Sequence, residues 1–213
     1  MSQGVKSTHQ RRSRQTRDKL LNALEDLLKE QDFADISVAA IAAKAGVSAA
    51  SIYRRFDSKQ GFIPVLFDLY LKRLEEWGAS KEAQLNLEGC SLREALEQVT
   101  HAGWKQIVSQ AHIMRAVHLH GRSHLGLMQD KIDAHEDSTL SAMRVLLNIY
   151  AAEVLKSDKD KTARMLSYYL NNIMIEKGLF GEKGAIFGIV FDDKCFTDEI
   201  AEFAFAYLTT PDH

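Results

Sequence analysis

Apolar residues recur along this chain at intervals of three and four from near its start to its end, the spacing that lines one face of an α-helix. A first helix over residues 15–31 gathers Leu20, Leu21, Leu24, Leu27 and Leu28 on one side, and the short stretch after it brings Phe33 and Ile36 back as a plug. Val38, Ile41, Ala42 and Ala45 then stand at i, i+3, i+4 and i+7, and a brief second element carries Ile52 and Phe56. A longer helix from residue 59 toward 81 carries Phe62, Leu66, Leu69, Tyr70, Leu74 and Trp77; Pro64 in its second turn should bend the helix or shift its start, and a kink is expected. After a polar stretch at 86–91 the pattern resumes, predicting helices over 91–110, 111–121, 125–156, 159–177 and 197–209. The expectation is an all-α chain in two domains, a small one over 1–58 and a larger helical one over 59–213.

The stretch 38–56, VAAIAAKAGVSAASIYRRF, is the most informative. Ser37 is placed to cap its first helix, and Gly46 falls where the chain needs positive φ. Ser48 is placed to cap the second. Ala42 and Ala45 leave room for the two helices to cross closely, with Val47, Ile52 and Phe56 as the buried side. Ala49, Ala50, Ser51, Tyr53, Arg54 and Arg55 remain for the outward face, small near the helix start and basic near its end. That is the layout of a helix-turn-helix that reads DNA. An ordinary helical corner in a core is the alternative that these residues alone leave open.

With its flanks, the segment resembles the N-terminal domain of the TetR family of bacterial transcription regulators. Ile41, Ala42, Ala45, Gly46, Val47, Ser48, Ile52, Tyr53, Phe56 and Lys59 carry the resemblance, which covers about residues 17–70 without a gap. Two positions depart from the family's habit: Asp32 stands before Phe33 where glycine is usual, and Ala50 where glycine or another small residue is usual. Asp tolerates turns and Ala suits a helix, so neither departure threatens the fold, and Ala50 bears on base preference.

The resemblance implies an N-terminal three-helix DNA-binding domain followed by a helical ligand-binding and dimerisation domain. The activity it implies is that of a homodimeric, ligand-responsive repressor which binds a palindromic double-stranded DNA operator and is released by a small-molecule effector. Tyr53, Arg55 and Lys59 are then assigned to phosphates, and Ala49, Ala50, Ser51 and Arg54 to base edges; Arg17, Ser37 and Ser48 complete the DNA-facing set. The last two helices would form the dimer interface, through Leu166, Tyr169, Ile173, Phe203 and Tyr207. A largely apolar effector pocket inside the larger domain would draw on Trp77, Trp104, Ile107, Met114, His118, Tyr168, Asn172 and Phe180.

Charge agrees with a divided chain. Net charge is −2, yet residues 1–60 hold eleven Lys and Arg against seven Asp and Glu, leaving sixteen against twenty-two for the rest. Lys6, Arg11, Arg12, Arg14 and Arg17 precede any acid, a basic arm suited to phosphates or simply to solvent.

Other features narrow the function classes. His112, His118, His120 and His124 fall within thirteen positions, with His101 and His135 nearby, but their spacing does not set a pair on one face of an unbroken helix with acidic or cysteine support. No metal, cofactor or catalytic constellation is expected, and the chain reads as a non-enzyme. Cys90 and Cys195, far apart in sequence, read as two reduced thiols. No apolar run reaches the ~20 residues of a membrane span, and the first residues lack a signal-peptide core, so the expected location is the cytoplasm without membrane contact. Residues 178–195, with four glycines among apolar residues, read as non-helical, either an arm across a subunit boundary or a long loop. The alternative function is a helical small-molecule-binding or metal-dependent protein whose N-terminal hairpin is only structural.

Overall fold

The computed structural model describes residues 3–180 and 191–212, with the backbone alone for 3–13 and Glu82. The described residues form helices joined by turns: α1 (Gln3–Leu28), α2 (Val38–Ala45), α3 (Ala49–Tyr53), α4 (Ile63–Gly78), α5 (Leu92–Ser109), α6 (Ala111–His120), α7 (Leu125–Ile149), α8 (Lys159–Phe180) and α9 (Asp193–Thr209). The chain divides into two compact units, one of Met1–Leu71 with His112–Met128, the other of Lys72–Ala111 with Gln129–His213.

In the first unit Leu20 and Leu24 of α1, Phe33 and Ile36 of the following loop, Ile41, Ile52, Phe62, Ile63, Leu66 and Ile113 are buried almost completely. Each such side chain contributes about 1.5–3 kcal/mol by leaving water. The rings of Phe56 and Phe62 stack with centroids 4.0 Å apart, closing the reading motif onto the next element. That element starts differently from expectation. Residues Lys59–Phe62 form a 3₁₀ turn and α4 begins at Ile63, so Pro64 lies in the first turn, where a missing N–H removes no helical bond. The expected kink therefore has no cause, and the helix ends at Gly78. The basic arm also differs, since α1 starts at Gln3 rather than near residue 15.

The second unit closes around Leu92, Leu96, Trp104, Leu147, Leu166, Leu170, Phe196, Ile200 and Leu208. Ser91 opens α5 with a reciprocal cap, accepting from the Glu94 N–H while the Glu94 carboxylate accepts from the Ser91 N–H at 2.8 Å. The helix expected to reach 156 stops at Ile149. Tyr150 and Val154 keep their buried places, but the chain turns there. The turn lets the Glu153 carboxylate accept from the Leu92 N–H at 3.1 Å and lets the Leu155 N–H reach the Leu208 carbonyl at 2.9 Å. Helix α8 runs on to Phe180 through Gly178, where a Cβ would stand 2.6 Å from Ile107 Cγ2. Asp192 caps α9, accepting from the Cys195 N–H at 2.9 Å. The segment expected to be non-helical is thus helical at both ends; residues 181–190, its middle, lie outside the described residues.

Candidate nucleic-acid interface

The turn between α2 and α3 is built as the sequence requires. Ser37 accepts from the Ala40 N–H at 3.0 Å and starts α2. Gly46 ends it at φ 64°, ψ 37°, and its N–H reaches the Ala42 and Ala43 carbonyls. Val47 N–H also returns to the Ala42 carbonyl, at 3.0 Å. A side chain at 46 would meet open space, so the demand for glycine there is one of backbone conformation alone.

Ser48 takes the N-cap position of α3 but makes no side-chain cap, which corrects one expectation. Its hydroxyl lies 3.0 Å from that of Ser51 instead. Ser51 Oγ in turn accepts from Arg54 Nη2 at 2.9 Å, and the Ser51 carbonyl accepts from Arg55 Nη1 at 2.8 Å. Both guanidinium groups are therefore folded back along α3 in the free protein. Ile52 is fully buried beneath, whereas Ala49, Ala50, Arg54 and Arg55 are exposed and Tyr53 is 58% exposed. The outward set is the one the spacing predicts. Ser51 is half-buried among them.

The other two assigned cations, Arg17 and Lys59, have partners on other elements. Arg17 on α1 pairs with Asp68 on α4 at 4.0 Å, both partly exposed. Lys59 Nζ donates to the carbonyls of Phe33, Ala34 and Ile36 at 2.7, 2.9 and 2.9 Å. Its ammonium also lies 4.8 Å from the centroid of the Phe33 ring. Sequence reasoning did not foresee these acceptors, because backbone carbonyls leave no signature in residue type.

The residues assigned to an effector pocket differ in burial and belong to both units. In the second unit Trp104 and Ile107 are buried and Trp77 and Phe180 half-buried, but Tyr168 and Asn172 stand exposed on α8. Asn172 is engaged in donating to the Tyr168 carbonyl at 2.7 Å. In the first unit Met114 is half-buried and His118 exposed. The apolar spacing of α8 could not tell a lining from a surface, and Tyr168, Asn172 and His118 are surface residues of the single chain. Trp104 has neighbours that the sequence did not bring forward: Phe196 at 5.1 Å and the Lys177 ammonium at 4.6 Å from its ring. Asp193 accepts from Lys177 at 2.7 Å, and that hydrogen bond, with another from Trp104, holds its carboxyl below the ordinary range against the opposing effect of burial.

Along α8 and α9 runs an apolar notch of about 210 Å³ lined by Met165, Leu166, Tyr169, Phe203, Ala204 and Tyr207. Phe203 is 63% exposed and Leu166 only 1%, so of the expected interface residues Phe203 is surface and Leu166 is core, with Tyr169, Ile173 and Tyr207 between. The first unit has a cleft of similar size, about 220 Å³, between the end of α1, the loop after it and α6. At this place His112 Nε2 meets Glu25 Oε1 at 3.4 Å and the His120 ring lies 5.1 Å from that of Phe33. Among the described residues no three His, Cys, Asp or Glu side chains gather where they could hold a metal ion. Among them, too, no helix is long and apolar enough to cross a membrane.

Residues 20–64 match the family model described as bacterial regulatory proteins, tetR family, a span that holds the reading motif and its flanks. Solved structures match across almost the whole chain. One is a bacterial regulatory protein in the tetR family from Rhodococcus RHA1, 13% identical with a TM-score of 0.63, over 92% of this chain and 98% of that one. Another is NalD of Pseudomonas aeruginosa, the secondary repressor of the MexAB-OprM multidrug efflux pump, 17% identical with a TM-score of 0.57, over 92% and 97%. A third is the fatty acid degradation regulator FadR of Bacillus halodurans, 16% identical with a TM-score of 0.58, over 91% and 96%. At these identities the likeness is one of fold. No curated protein matches the chain.

Proposed function

We propose that this chain, which carries a tetR-family helix-turn-helix domain over residues 20–64, is a homodimeric transcriptional repressor that releases its operator on binding a small molecule. The observation that carries the reading is the α2–α3 pair: a glycine-hinged corner whose second helix buries Ile52 and turns Ala49, Ala50, Tyr53, Arg54 and Arg55 outward. Small residues at the start of α3 let it approach base edges in the major groove, while Arg55 and Tyr53 near its end meet phosphates. Arg54 swings from Ser51 to a base.

Residues 1–58 read DNA and residues 59–213 sense the effector and dimerise. Two copies join through the exposed apolar strip of α8 and α9, with Phe203 and Tyr169 at its centre, so the operator is an inverted repeat. The effector is largely apolar and binds in the second unit near Trp104. For release, the effector must bind the non-reading state more tightly, by about 2.7 kcal/mol for a hundredfold loss of DNA affinity.

Fluorescence anisotropy with duplexes from beside the protein's own coding region tests this. The reading requires two protomers per duplex and loss of binding when either half of an inverted repeat is scrambled. Equal affinity for scrambled duplexes contradicts it.

A further inference from the structure

The residue that the sequence assigns most readily to a DNA phosphate, Lys59, is engaged elsewhere. An ammonium has three N–H donors, and the carbonyls of Phe33, Ala34 and Ile36 lie within 2.7–2.9 Å of its nitrogen. The ring of Phe33 covers the cation at 4.8 Å and contacts His120 at 5.1 Å. Phe33 and Ile36 are themselves almost completely buried, so the loop, whose other residues are exposed, is pinned to the core by these two side chains.

The topology gives these bonds a purpose. The three carbonyls belong to the loop through which the chain enters the reading motif, between α1 and α2; Lys59 opens the 3₁₀ turn through which the chain leaves it. One side chain therefore ties entry to exit around α2 and α3. We propose that Lys59 is a positioning residue that fixes the angle at which α3 is offered to the groove, without itself contacting a phosphate. The inference rests on the DNA-reading function proposed above. Handing to a phosphate the donors that serve the part-buried carbonyls of Phe33 and Ile36 would strand those oxygens beside the core, a loss that a surface phosphate contact does not repay. Partial burial also pushes the Lys59 ammonium below the ordinary lysine range, against the pull of Asp35.

Lys59→Met and Lys59→Arg separate the roles. Methionine removes the donors, whereas arginine keeps a charge that would serve a phosphate but presents a planar fork that three carbonyls around a tetrahedral nitrogen do not fit. Both variants are expected to weaken binding to every duplex by about tenfold, the loss of one charge-assisted hydrogen bond, with an unchanged slope of log affinity against log salt. Amide exchange at 33–37 should speed up in both. The proposal is overturned if the methionine variant lowers the slope by about 0.9 per lysine while arginine restores it, the signature of a phosphate contact. It is equally overturned if both folded variants bind DNA as the parent does.

Should the variants fail to fold, the Lys59 ammonium is observed directly by nitrogen-15 resonance in the parent protein. The expected signal is slowly exchanging and unmoved by operator; a scalar coupling to phosphorus on adding operator contradicts the proposal. If the parent binds no duplex at all, the functional reading falls and the positioning role with it, while exchange at 33–37 still reports whether the tie exists.

Discussion

The Ser51 hydroxyl accepts a hydrogen bond from the Arg54 guanidinium at 2.9 Å, so the first arginine of the reading helix is held along its own helix when DNA is absent. Arg55, its neighbour, is bonded to the Ser51 carbonyl. The two side chains start from one residue and are assigned to different ends, a base edge and a phosphate. Arg54→Ala should relax preference at one position of each half-site by ~1–3 kcal/mol, the worth of a bidentate base contact, while Arg55→Ala should weaken all sequences alike. Anisotropy across single-base operator variants checks this; the same uniform loss for both arginines would remove the distinction.

Two glycines support the architecture for different reasons, and alanine at each should fail differently. Gly46→Ala meets no neighbour but must hold φ near 64°, a strain of about 1–2 kcal/mol. Gly178→Ala places a Cβ 2.6 Å from Ile107 Cγ2, and overpacking of this kind costs about 1–3 kcal/mol. Urea denaturation should find both destabilised. Pairing Gly178→Ala with Ile107→Leu, which removes the Cγ2 methyl from the contact, should recover part of the loss, and no pairing should help Gly46→Ala.

The dimer interface is tested by charge at its exposed centre. Phe203→Glu should give folded monomers in sedimentation, because this ring is surface in the single chain. Leu166 is not a fair probe, since it is buried within its own unit and its replacement would unfold α8 from the core. An unchanged Phe203→Glu dimer would move the interface elsewhere.

Acid stability should carry a mark of the C-terminus. Asp212 accepts from the Ser157 hydroxyl at 2.6 Å and the Ser157 N–H at 2.8 Å, and lies 3.4 Å from Lys156, which together hold its carboxyl down to about 2. A carboxyl lowered in the folded state stabilises it above the ordinary value of 3.8 and loses that contribution as pH falls toward 2. Relative to Asp212→Asn, the parent should therefore be more stable by a constant margin above pH 4, one that shrinks between pH 4 and 2. A margin independent of pH in this window would mean the carboxylate is not held as described.

The reading motif was legible in the sequence because each of its devices is tied to residue type. Ser37 caps, Gly46 takes positive φ and Ile52 is buried, as spacing and chemistry require. Helix positions were legible for the same reason, but their ends were not. Pro64 marked a helix start and not a kink, and Glu153 left the line of α7 to cap α5, a choice fixed by a partner sixty-one residues away. The effector site was least legible. Periodicity says that Tyr168 and Trp104 are on helices, but only packing separates an exposed ring from one enclosed by Phe196 and Lys177.

The central claim is that the N-terminal unit binds duplex DNA through its cations. The most direct measurement is the affinity of the parent protein for its operator across a series of salt concentrations. If a dimer neutralises ~8 phosphates, log affinity should fall against log salt with a slope of about −7. A slope near zero, or affinity for the duplex no greater than for a neutral polymer, would contradict the account.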